Sequence, residues 1–118
     1  MRKLAVALLA WSALFLFACG EPLPQDKLDY AGEWQGPQVY LLITPAGRCV
    51  YERRRDAGNV SIDAPIQRFE GDNFLVGLGP LTTTFVVSKP PAVVDGKWRM
   101  TVDGVELPRV SSPGEVSA

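Results

Sequence analysis

The chain has 118 residues, 47% hydrophobic and 21% charged, with a formal net charge of −1. That length sets one domain as the expectation, and a charge so near zero argues against a nucleic-acid partner, which needs a basic face. There is no histidine, and the two cysteines are Cys19 and Cys49, which removes the usual proton shuttle and triad base and leaves too few thiols for a structural zinc site or a disulfide framework.

The chain opens with Arg2 and Lys3, followed by an uncharged run from Leu4 to Phe17, "LAVALLAWSALFLF". At helical rise this run spans about 21 Å, short of the ~30 Å hydrocarbon core of a bilayer. It fits the h-region of a cleaved, helical secretory signal better than a permanent span. Ordinary signal peptidase prefers small side chains at −1 and −3 of its cut. Cutting after Ala18 would put bulky Leu16 at −3.

The stretch "LFAC" (Leu16–Cys19) instead resembles the lipobox of bacterial lipoproteins. The resemblance implies that residues 1–18 are removed as a signal peptide and that the Cys19 thiol receives a diacylglycerol. The new amino group would then be acylated, so Cys19 is the expected lipid attachment residue and the membrane the expected partner. By the same resemblance, Gly20 is not the aspartate that retains lipoproteins in the inner membrane. An outer-membrane location facing the periplasm follows for a Gram-negative cell. The alternative is a plain secreted or inner-membrane protein in which Cys19 falls by chance.

Residues 20–29, "GEPLPQDKLD", combine two prolines with acidic side chains and suggest an extended tether, the alternative being an arm packed on the domain. At about 3 Å per residue it would hold a domain roughly 30 Å from the lipid. Loss of Arg2 and Lys3 leaves ten basic against thirteen acidic residues, a side-chain sum of −3. Acyl chains rather than electrostatics would then hold the protein at an anionic surface.

From Tyr30 onward, short alternating runs are punctuated by Gly, Pro, Asp and Asn. The pattern predicts strands near 31–36, 38–44, 48–54, 59–63, 66–70, 73–78, 82–88, 97–102 and 105–108. Between them lie the turns "TPAGR", "DAGN", "DAP", "EGDN", "GLGP", "SKPP" and "VDGK". The fold class expected is all-β over residues 30–110, a small antiparallel meander closing into a barrel or half-barrel. Residues 111–118 are expected to be a disordered tail.

The clearest local signal is "KWRMTVDGVELPR". Asp103-Gly104 suits a two-residue type I′ turn, which pairs Val102 with Val105, Thr101 with Glu106 and Met100 with Leu107. Trp98, Met100, Val102, Val105 and Leu107 then share an apolar face, opposite Lys97, Arg99, Thr101 and Glu106. Residues 39–44 are apolar on both alternating faces, which predicts a strand buried on both sides. Phe69 and Phe74 are expected to meet across the "EGDN" hairpin.

No constellation of residues calls for a catalytic role, a cofactor or a metal. Asp56, Asp72, Asp95 and Asp103 each sit where aspartate caps a turn. Asp63 and Glu70 form no evident acid–base pair. "GLGPL" lacks the lysine and the following helix of a phosphate-binding loop and reads as a turn. Arg48, Arg53, Arg54 and Arg55 are the only basic cluster, but strand alternation divides them between faces. Cys49 is either a buried, inert thiol or an exposed one able to pair with another chain, and its neighbours Val50 and Tyr51 favour burial.

Gly32-Glu33-Trp34 resembles the G-x-W of the first strand of lipocalins, in which the tryptophan closes the bottom of an eight-stranded ligand cup. The resemblance covers three residues. A barrel of about 80 residues has short strands and is filled by its own side chains, so Trp34 is read as a core residue. The expected function is a non-enzymatic binding or scaffolding module that recruits an envelope protein, for instance through a sheet edge. The alternative is a lipocalin-like carrier of a small apolar ligand.

Overall fold

Two dipeptides of the form Asp-Gly set the geometry of the C-terminal half. Asp103 and Gly104 have φ of 48° and 80°, and Asp95 and Gly96 have 53° and 78°, the left-handed pairs that a type I′ hairpin turn requires. The computed structural model describes residues 21–112. The signal segment, Cys19 and residues 113–118 lie outside the described residues; Ser111, expected to begin the disordered tail, is instead paired with Glu33. A 3-10 helix, Gln25–Tyr30, precedes nine strands: β1 Gly32–Gly36, β2 Val39–Ile43, β3 Arg48–Arg53, β4 Val60–Glu70, β5 Asn73–Leu78, β6 Leu81–Phe85, β7 Val87–Val94, β8 Lys97–Val102 and β9 Val105–Ser111.

Every pairing is antiparallel, and the strand order is β6-β5-β4-β3-β2-β1-β9-β8-β7. The first six strands form a meander, and the last three return so that β9 lies beside β1. The sheet curls into a half-barrel, as the alternation predicts. The β8–β9 register is the expected one, with Val102 opposite Val105, Thr101 opposite Glu106 and Met100 opposite Leu107. Met100, Val102 and Leu107 face the core, while Arg99 and Glu106 form an ion pair on the other face.

The concave side is filled. Trp34, Leu41, Ile43, Phe74, Phe85, Met100 and Leu107 are all essentially inaccessible to solvent. Large apolar side chains of this kind each contribute about 1.5–3 kcal/mol on burial. The Phe74 and Phe85 rings stack at 5.1 Å, and Tyr51 meets Phe85 edge-on at 4.9 Å. Phe69 and Phe74 are cross-strand partners, as their flanking of "EGDN" suggests.

Several expectations are corrected. Residues 59–63 and 66–70 belong to one strand, β4, with no turn at "DAP". Its first half pairs with β3 as far as Pro65, and from Ile66 it pairs with β5. Pro65, which has no N–H to donate, thus occupies the position where the ladder changes partner. The run 82–88 is divided at Val86 between β6 and β7. "SKPP" lies within β7, where Pro90 and Pro91 coincide with register shifts on an edge strand, the setting in which a sheet tolerates proline. On β2 only Val39, Leu41 and Ile43 are buried; Tyr40 and Leu42 are half-covered.

The segment expected to be a free tether is docked. Leu23 is buried, and its N–H donates to the Pro45 carbonyl at 3.0 Å. The 3-10 helix that follows buries Tyr30, whose hydroxyl donates to the Asp72 carbonyl at 2.8 Å. Lys27 lies 5.6 Å from the Tyr30 ring centroid and 5.5 Å from that of Phe69. Gly47, at φ 94°, admits this packing: a Cβ there would collide with the Glu21 carbonyl oxygen. Composition suggested an exposed arm, but two apolar side chains outweigh the polarity around them.

β6 and β7 are consecutive in the chain and lie at opposite ends of the strand order, joined through Val86. Side chains tie this crossing down where no ladder spans it. Asn73 Oδ1 accepts from the Val87 N–H at 2.8 Å, and Asp103 Oδ1 accepts from the Val86 N–H at 2.9 Å. The Asp103 N–H donates to the Val86 carbonyl at 2.7 Å. The β8–β9 turn therefore does two jobs at once. Gly104→Val, which forces a β-branched residue into the left-handed region, should lower unfolding free energy by about 1–2 kcal/mol, measured by urea denaturation.

Candidate functional site

The base of the half-barrel is built around Trp34. It is fully buried, and its indole N–H donates to the Tyr30 carbonyl at 2.9 Å, the end of the 3-10 helix. Across the β1–β9 ladder Trp34 is paired with Arg109. The guanidinium carbon of Arg109 lies 5.9 Å from the Trp34 ring centroid and 4.7 Å from that of Trp98. One cation thus sits against two indoles. Trp34 is the core residue expected; Arg109 was not singled out in the sequence, where "LPRV" carries no local signal. Only the pairing of the first strand with the last brings Arg109 there.

Cys49 is fully buried, and burial pushes its thiol up to about 12, with Asp63 adding to the effect. It is protonated at neutral pH and inert in the native fold. Tyr30 is pushed up to about 12 as well, first by burial and then by Asp72 and Asp26. Burial, with Glu33 and Glu52 nearby, raises Tyr40.

The aspartates stay apart. Asp95 and Asp103 form turns. Asp72 offers its backbone carbonyl to Tyr30 and its carboxylate to Lys27 at 3.8 Å. Asp56 is an exposed loop residue. Asp63 pairs with Arg48 at 2.7 Å and Glu70 with Arg68 at 3.1 Å. Among the described residues no group of three His, Cys, Asp or Glu side chains could hold a metal ion. "GLGPL" forms the tight β5–β6 turn at Gly79-Pro80, whose Gly79 carbonyl accepts from Gln67 Nε2 at 3.0 Å.

The arginines are separated by the length of β3 and not by alternation. Arg48 stands at its start, whereas the neighbours Arg53 and Arg54, at and just past its far end, line one open cleft of about 640 Å³. This cleft lies between the β1–β2 turn and the β3–β4 loop. Gln35, Gln38, Tyr40, Glu52, Asn59 and Ser61 also line it. Gly36, Val39 and Val60 complete its walls, which are about equally polar and apolar, whereas the interior behind it is occupied by side chains.

The two edges of the sheet differ. β7 carries Lys89, Pro90 and Pro91 and two register shifts, features that obstruct pairing with a further strand. β6, Leu81-Thr82-Thr83-Thr84-Phe85, has no charge, no proline and no register shift. Its first four residues are exposed. Beside it at the hairpin tip the cross-strand pair Leu78 and Leu81 is 66% and 81% exposed. An edge strand of this kind presents unpaired N–H and C=O groups to any suitable strand. No family model, no curated protein and no solved structure matches the chain.

Two predictions follow from the base. Arg109→Ala should lower stability by about 1–2 kcal/mol through loss of the cation–π contacts and shift tryptophan fluorescence, with Arg109→Lys intermediate, read by thermal denaturation and emission spectra. In alkaline titration Tyr30 should ionise near 12 in the native protein and near 10 once unfolded. The native state holds the proton more tightly, so its contribution is complete below pH 10 and declines as pH rises through 12. Phenolate absorbance together with unfolding curves across that window measures both.

Proposed function

We propose that the mature chain is a lipid-anchored envelope protein, attached through acyl chains on Cys19, whose β domain binds or scaffolds another envelope component without catalysing a reaction. The anchor rests on the lipobox. Each buried CH₂ of an acyl chain contributes about 0.8 kcal/mol, so the chains together hold the protein durably. In a Gram-negative cell the Gly20 that follows favours the outer membrane, with the domain facing the periplasm.

The observation that carries the binding role is the unguarded edge of β6. A partner strand adding there gains main-chain hydrogen bonds, and Leu78 and Leu81 supply apolar contact at the tip. The interior, filled by Trp34, Phe74, Phe85 and Met100, supports this reading over carriage of a small apolar ligand.

The test is crosslinking in intact cells with identification of captured envelope proteins. Thr82→Lys with Thr84→Lys places charge on the edge at exposed positions without touching the core. Capture of a specific envelope protein should fall several-fold in this variant, while circular dichroism and unfolding midpoint stay near those of the unsubstituted protein. Undiminished capture would remove β6 as the binding edge.

A further inference from the structure

The geometry points to the closed base of the half-barrel as the surface that lies against the lipid, with the open cleft turned away from it. This placement rests on the proposed anchor at Cys19 and follows from how little chain separates that residue from the fold. Glu21 is already packed over Gly47. Two residues on, Leu23 is buried and hydrogen-bonded to Pro45. The segment then runs into the 3-10 helix, which Tyr30 and Trp34 fasten to the base.

Only Gly20 stands between Glu21 and Cys19. Two fully extended residues reach at most about 7 Å. An acylated sulfur at the end of so short a leash cannot sit in a bilayer while the β2–β3 turn is held far from it. The end of the domain that carries Ala46 and Gly47 therefore meets the headgroups. The β3–β4 loop, with Ala57, lies roughly 20 Å further out along β3, together with the cleft and Arg54. The partner of the base is the lipid surface itself, and covalent linkage rather than charge selects it.

Ala46 and Ala57 are both exposed, so a fluorophore can be attached at either through Ala46→Cys or Ala57→Cys. The fully buried Cys49 remains in place. Native acylated protein is reconstituted into phosphatidylethanolamine–phosphatidylglycerol vesicles containing a headgroup-linked quencher, and flotation is recorded in parallel. The label at position 46 should be quenched several-fold more than the label at 57. A flexible Gly/Ser insertion between Gly20 and Glu21 should erase that difference and leave flotation intact.

Flotation with equal or reversed quenching would overturn the placement and leave the anchor standing. A difference that survives the insertion would also overturn it, because the short reach would not be its cause. Failure of the native protein to float, with flotation unchanged by Cys19→Ala, would sink the anchor and the placement with it.

Discussion

A fully buried indole N–H has to find an acceptor, because leaving it unpaired costs on the order of 1–3 kcal/mol. In this protein the acceptor for Trp34 is the Tyr30 carbonyl, and that one requirement organises the base of the fold. It fixes the end of the 3-10 helix against the first strand. With the helix in place, Tyr30 reaches the β4–β5 turn and packs edge-on against Phe69 and Phe74. Leu23 then falls into the remaining apolar space beside Pro45. A segment that looks like a linker by composition becomes the floor of the half-barrel.

The two ends of the domain consequently have different physical characters. At the base, aromatic rings, a shared guanidinium and main-chain hydrogen bonds hold a floor whose 3-10 helix turns Gln25, Asp26 and Asp29 outward. At the mouth, Arg53, Arg54, Gln38 and Asn59 stand beside Val39 and Val60 around an open cleft. The concave side between them is packed solid. Such a body has chemistry to offer on its rim and along its edges, and little in its interior.

Much of the sheet was legible because its signals are local. Asp103-Gly104 demands a particular turn, and the turn dictates which residues face each other for several pairs on either side. Phe69 and Phe74 were placed by the short "EGDN" between them. What escaped was non-local. Pro65 reads as a strand breaker until the sheet is seen to change partner there. Pro90 and Pro91 read as a turn until β7 is seen to be an edge. Arg109 has no meaning in its own neighbourhood, since its role depends on the last strand lying beside the first. The burial of Leu23 and Tyr30 is likewise a tertiary fact, set by a surface that the segment itself does not contain. Cys19, on which the proposed anchor depends, is read from a short motif alone and lies outside the described residues.

The contrast between β6 and β7 also limits how large an assembly can grow. A sheet with two receptive borders can pass pairing from molecule to molecule and extend into a fibre. Prolines and register shifts obstruct one border of this sheet, so a second copy of the chain that paired at the other would offer no further border for growth. Among copies of this chain, edge-to-edge growth would stop at two, a limit set by where two imino acids fall.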